Sequence, residues 1–197
     1  LFGIYNTGYQ HYRVLGELEI ISFWEIILKG ALVVLPLVVV SYGSGLFVEF
    51  IFAIKNGHTV QEGFLVSGML IPLCMPADVP LWMVAVATIF AVVIGKEVFG
   101  GTGMNILNVA LTARVFLYFG FPSDISGDVW TYYDEDKEII SGYSGATPLG
   151  VAAESGMVGI TNSYTWLDAF FGNIPGSVGE TSIIAIAIGL AAVSYTH

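Results

Sequence analysis

The chain has 197 residues, 55 % of them hydrophobic and only 11 % charged, with a formal net charge of −10 at pH 7. Its apolar runs are too long for a globular core, so the composition is that of an integral membrane protein. The acidic balance excludes nucleic acid as a partner, and a lone cysteine, Cys74, supplies neither a disulfide nor a zinc or iron–sulfur ligand set, so any metal cluster belongs to a partner.

The chain opens on LFGIYNTGYQ, without a methionine, a charged leader or a cleavage site. Gly30 to Ile54 is the clearest transmembrane helix, apolar apart from Ser41, Ser44 and Glu49, and Lys55 and His58 after it mark a cytoplasmic end. Glu49 is an intramembrane carboxylate and therefore a functional candidate. It serves either an ion pathway or, being near Lys55, reaches the interface. Phe64 to Met75 is too short to cross as a straight helix and is interrupted by Gly68 and Pro72, so it reads as broken or re-entrant. After the turn PADVP, Leu81 to Gly95 makes a second crossing that ends at Lys96, and Met104 to Phe121 returns across.

Residues 122–138, PSDISGDVWTYYDEDKE, carry six acids against one lysine. Residues 122–146 are accordingly expected to form an acidic extramembrane loop, on the non-cytoplasmic side together with Thr147. Residues 165–182 read as a short amphipathic piece, a Gly/Pro break and a helix start at which Ser177, Thr181 and Ser182 supply capping oxygens. The last apolar run, Ile183 to Tyr195, falls short of the roughly 20 residues of a spanning helix. The chain therefore reads as a fragment of a longer protein. The expected fold is an all-α, polytopic transmembrane helical bundle with broken or re-entrant segments, a single domain over residues 1–197. Breaks of this kind are tolerated in a membrane only where protein or a polar cavity satisfies the backbone.

Three stretches could carry chemistry. GKEVFGGTGMNILN, residues 95–108, suggests a nucleotide loop, but Gly101 and Gly103 are followed by Ile106 rather than glycine, and no lysine lies beyond them. It is a flexible turn opening a helix, unless the amides that follow are functional. Asn105, Asn108 and Thr112 are spaced to share one helical face, and amides at membrane depth either glue helices together or hydrogen-bond a polar heterocycle such as a flavin or quinone. In SGYSGATPLG, residues 141–150, Thr147 has small neighbours in Ser144, Gly145 and Ala146 and is followed by Pro148. A bulky group could be held on that hydroxyl; the other reading is an ordinary turn. Glu97, Glu154, Asp168 and Glu180 are expected in solvated or capping roles and the tryptophans as interfacial anchors, with cofactor stacking open to Trp166 or Tyr143. His11 and His58 are expected to be solvated or interfacial.

GKEVFGGTGMNILN, SGYSGATPL and GNIPGSVGETS, in that order, together with EGFLVSGMLIPL and PLWMVAVA, closely resemble the B subunit of the bacterial sodium-translocating NADH:quinone oxidoreductases. The D subunit of the Rnf electron-transport complex shares the general plan. The resemblance implies FMN bound through a phosphoester to Thr147 and installed by a dedicated flavin transferase, with Ser144, Gly145 and Ala146 giving it room. It implies non-covalent riboflavin near Gly101, Gly103, Asn105 and Asn108, ubiquinone as electron acceptor, and Glu49 as a candidate for Na+ passage or quinone access. Electrons would come from NADH through a partner subunit's flavin and leave to quinone, with Na+ export coupled to their flow. The setting implied is a multi-pass subunit of a multi-subunit complex in the bacterial inner membrane, in contact with lipid and quinone. The chain departs from the family pattern at Ser141, where aspartate is usual, at Val109, where proline is usual, and at Met104, where a basic residue is common. The other readings are an Rnf-type D subunit, a non-redox ion channel or transporter subunit, and a non-functional remnant.

Overall fold

A computed structural model describes all residues except 58, 60, 61, 133–144 and 197. The helices run α1 (Phe2–Leu15), α2 (Phe23–Asn56), α3 (Gly63–Leu73), α4 (Leu81–Gly95), α5 (Val109–Gly120), α6 (Pro148–Ser163), α7 (Trp166–Phe171) and α8 (Ile183–Thr196). Short 3-10 turns cover Glu97–Phe99 and Pro122–Asp124, and the described residues contain no strand. This is an all-α membrane protein. Phe23–Asn56, with 34 residues, and Leu81–Phe99, with 19, are long and apolar enough to cross a bilayer. At about 1.5 Å per residue α2 exceeds a hydrocarbon core of roughly 30 Å, whereas the 11 residues of α3 cover about half of it.

Two expected boundaries are corrected. The first crossing begins at Phe23, a turn and more before Gly30. The segment expected to run from Met104 to Phe121 is helical only over Val109–Gly120, because positive φ angles at Gly100, Gly101 and Gly103 belong to turns and Asn108 caps the helix. Its 12 residues span about 18 Å.

The chain divides into two compact units. One comprises Val34–Met75 and Val79–Ser126, the other Leu1–Val33, Pro76–Asp78 and Gly127–His197. In the first, α4 packs on α5 and α3 on both. The core along α4 and α5 is built of small side chains, Ala87, Ala91, Ala110 and Ala113, which let the backbones approach as membrane helices do. The opposite face of α4 exposes Trp82, Val86, Ile89 and Ile94, so the helix is apolar all round. A buried polar contact joins two helices: Ser41 Oγ on α2 donates to the Gly68 carbonyl of α3 at 2.8 Å.

In the second unit α1 lies against the start of α2 with backbones in contact. A Cβ on Gly8 would run into the Ile26 carbonyl, and one on Gly30 into the Ile4 carbonyl. The polar face of α1 points inward. Asn6 Nδ2 donates to the Ile174 carbonyl at 3.1 Å and to Thr181 Oγ1 at 3.3 Å, and Gln10 Nε2 donates to Asn6 Oδ1 at 3.3 Å. His11, expected to be solvated or interfacial, is 1 % exposed and its Nδ1–H donates to the Tyr132 carbonyl at 3.0 Å. Burial is affordable for these groups because the loops around 132 and 173–181 offer acceptors that no helix could spare. Of the three hydroxyls expected at the start of α8, Ser182 does the capping, accepting from Ala185 N at 3.3 Å. Thr181 instead serves Asn6, and Ser177 donates to Glu180.

Candidate functional site

Thr147 is extended, with φ −64° and ψ 158°, and is the N-cap of α6: its Oγ1 accepts from Gly150 N at 3.2 Å, and Pro148 takes the first helical position. The residue is half-buried and Ala146 before it is buried. Gly145 is required by a close approach, since a Cβ there would collide with the Asp128 carbonyl. Ser144, like Ser141, Tyr143 and His58, lies outside the described residues.

α6 is not a rod. Gly156 has φ 66° and ψ −162°, a conformation closed to other residues, and it breaks the helix into 148–155 and 157–163. A straight helix would carry Tyr164 about 24 Å from Pro148. Instead the Tyr164 hydroxyl donates to the Ala146 carbonyl at 3.3 Å. The fold-back forms an open-mouthed cavity of about 490 Å³ between Pro148, Met157, Ile160 and Tyr164 of the broken helix and Trp166 and Ala169 of α7. Thr161 and Thr165 also line it. Their hydroxyls are engaged, Thr161 with the carbonyls of Met157 and Val158 and Thr165 with Asp168 Oδ2 at 2.6 Å. Arg13 stands behind the wall, its guanidinium carbon 5.9 Å from the centre of the Tyr164 ring. Asp168 belongs to the Thr165 capping box of α7. The Thr165 hydrogen bond to its carboxylate outweighs the opposing effect of burial and, with a contribution from Arg13, holds Asp168 below the ordinary aspartate value.

The other candidates fall in the first-described unit. Asn105 and Asn108 do not share a helical face with Thr112. Asn105 sits in the turn, where its Nδ2 donates to the Leu107 carbonyl at 3.1 Å. Asn108 is the cap, its Oδ1 accepting from Leu111 N at 3.1 Å while Thr112 Oγ1 donates to its carbonyl at 2.8 Å. Both amides are exposed, beside Gly101 and Gly103, whose φ angles are 93° and 89°.

Glu49 is buried within the protein. It is 3 % exposed and ion-paired with Lys96, itself 3 % exposed, whose ammonium also lies 3.8 Å from Glu97 Oε1. Lys96 Nζ stands 5.7 Å from the centre of the Phe64 ring. Glu97, expected in a solvated or capping role, is thus part of a buried ionic cluster at the 3-10 turn that follows α4.

The sequence profile of the NQR2, RnfD, RnfE family matches residues 1–197. The chain is 46 % identical over its whole length to the Na(+)-translocating NADH-quinone reductase B subunit of Chromohalobacter salexigens, covering 51 % of that protein. It is 44 % identical over 95 % of its length to the B subunit of Ectopseudomonas mendocina, and 42 % over 99 % to that of Azotobacter vinelandii, covering 51 % and 52 % of them. The chain spans about half the length of the curated relatives it matches.

Proposed function

Because the chain belongs to the NQR2, RnfD, RnfE family, we propose that it is part of a membrane subunit of a sodium-pumping NADH:quinone reductase, working with the other subunits of that complex in the bacterial inner membrane. Relatives named as the B subunit, matched along essentially the whole chain, favour this over an Rnf-type D subunit or a non-redox channel. We assign Thr147 the covalent FMN, attached by a flavin transferase, and residues 122–146 the role of an acidic extramembrane loop leading to it.

The observation that carries this assignment is the position of Thr147 at the start of α6. The residues fit a phosphate ester. The hydroxyl is half-buried and, among the described residues, its one hydrogen bond is accepted, from Gly150 N, so its oxygen is reachable and its proton is not committed there. The backbone N–H of Gly150 holds the Thr147 oxygen, and that of Leu149 lies in the first helical turn, where helix geometry supplies no carbonyl partner and the helix dipole favours an anion. Gly145 and Ala146 are packed inward, Gly145 against the Asp128 carbonyl. FMN, when bound, supplies reversible electron uptake that no side chain here provides. The protein's part is to tether it, to order the phosphate and to keep the site in a low-dielectric setting.

Asn105 and Asn108, exposed beside the glycine turn, are the residues we assign to riboflavin, with Gly101 and Gly103 letting a ring approach the backbone. Ubiquinone is the proposed acceptor. Glu49 is the proposed point of Na+ passage, and there Na+ competes with the Lys96 ammonium for the same carboxylate.

In-gel flavin fluorescence tests the central assignment. The full-length protein, co-expressed with a flavin transferase and denatured, is expected to fluoresce, and Thr147→Ala to be dark. A dark parent band beside a labelled control substrate would sink the assignment and return the chain to the channel reading.

A further inference from the structure

We propose that the open-mouthed cavity formed by the fold-back of α6 against α7 is the seat of the flavin ring carried on Thr147, and that it takes the apolar dimethylbenzene edge of that ring. The inference rests on Thr147 bearing the FMN, and goes beyond it by saying where the ring lies and which side chains hold it.

The tether comes first. Pro148 is in the cavity wall and follows Thr147 directly, so the attachment point is one residue, about 3.8 Å of backbone, from the cavity's edge. The far wall is brought to the same place by Gly156, and Tyr164 is pinned there through the Ala146 carbonyl. A volume of about 490 Å³ lies within the roughly 300–1,000 Å³ that small organic ligands occupy.

Wall chemistry selects the edge. Pro148, Met157, Ile160, Tyr164, Trp166 and Ala169 offer apolar and aromatic surface. The hydroxyls of Thr161, Thr165 and Tyr164 are committed to protein acceptors. A ligand with hydrogen-bonding groups on every side would lose them here. A tricyclic ring with one hydrocarbon edge stacks on Trp166 or Tyr164 and leaves its polar pyrimidine edge outside.

Arg13 backs the wall without entering the cavity: its guanidinium carbon lies 5.9 Å from the centre of the Tyr164 ring and its Nη1 donates to the Asn173 carbonyl at 3.5 Å.

The test compares two emissions from the same flavin in the full-length protein co-expressed with a transferase: that of the denatured band, which reports covalent load, and that of the native protein in detergent. Trp166 is 86 % exposed, so Trp166→Leu leaves the fold intact, and Ala169→Phe, one turn further along α7, fills the cavity from the same wall. Load equal to the parent with native emission raised several-fold in Trp166→Leu, and a ring displaced to freer rotation in Ala169→Phe by fluorescence anisotropy, is the expected result. Equal load with emission and anisotropy unchanged in both variants would overturn the seat and leave the attachment standing, the cavity then holding lipid, quinone or a partner's side chain. A parent without load overturns seat and attachment together.

Discussion

Lys96 is the residue on which the buried ionic cluster turns. Its ammonium serves Glu49 and Glu97 at once, and all three side chains are almost wholly withdrawn from solvent. Removing one partner of such a pair costs about 3–5 kcal/mol, because the charge left behind is neither solvated nor matched. Lys96→Met is therefore expected to lower the melting temperature in detergent sharply, and Glu49→Gln combined with Lys96→Met to recover part of the loss; equal melting of parent and single variant would refute the pairing. Asp168 gives a prediction in pH. Its carboxyl is held below the ordinary value by Thr165, so the stabilisation is complete above the unfolded value of about 3.9 and is lost as pH falls through the lower, folded one. Asp168→Asn is expected to melt below the parent at neutral pH and together with it in strong acid, which a pH series of melting curves would show. Glu49 was legible in the sequence as an intramembrane acid, but its partner was not. The two lie 47 residues apart, and spacing arguments connect only residues three or four apart on one helix. Lys96 at the end of an apolar run therefore looked like a membrane-end marker.

Among elements, α4 was the most legible. Pro80 before it and Lys96 after it bound an uninterrupted apolar run, and the observed limits, Leu81–Gly95, are those expected. α5 was harder, because the spacing of Asn105, Asn108 and Thr112 imitates helical periodicity. Three left-handed glycines and a capping asparagine override it. The reversal at Gly156 was invisible, since one glycine in ESGMVGI carries no signal of its own φ. α2 allows a test with an internal control. Gly30 is pressed on the α1 backbone, whereas a Cβ at Gly43 of the same helix meets nothing within 4 Å. Gly43→Ala is expected to be neutral or stabilising, by up to about 1 kcal/mol from helix propensity. Gly30→Ala is expected to destabilise by about 1–3 kcal/mol through overpacking, or to separate the two helices. Thermal melts of the two variants in one detergent decide it, and matching shifts would rule out the close seam.

On the scale of the whole molecule, exposed apolar side chains run along individual helices, Leu28, Leu32, Leu35 and Val39 on α2 and Ile186 and Leu190 on α8. Contiguous exposure of this extent is stable only against lipid or other apolar helices. Cys74 is the lone cysteine of these 197 residues, so Cys74→Ser, with any cysteine elsewhere in the full-length protein also replaced, gives the labelling background. In native membranes Leu32→Cys and Ile89→Cys are expected to resist a charged maleimide and Glu19→Cys in the α1–α2 connection to react; detergent-denatured samples should label at all three. Labelling of Leu32→Cys in intact membranes would contradict a lipid-facing α2. The inward polar face of α1 has a consequence in time. Asn6 finds its acceptors at Ile174 and Thr181, 168 and 175 residues later, and a ribosome adding about 5–20 residues per second needs roughly ten to thirty seconds to make them. Throughout that interval the Asn6 amide has no permanent partner, so α1 is made well before the segments it packs against and settles only once they exist.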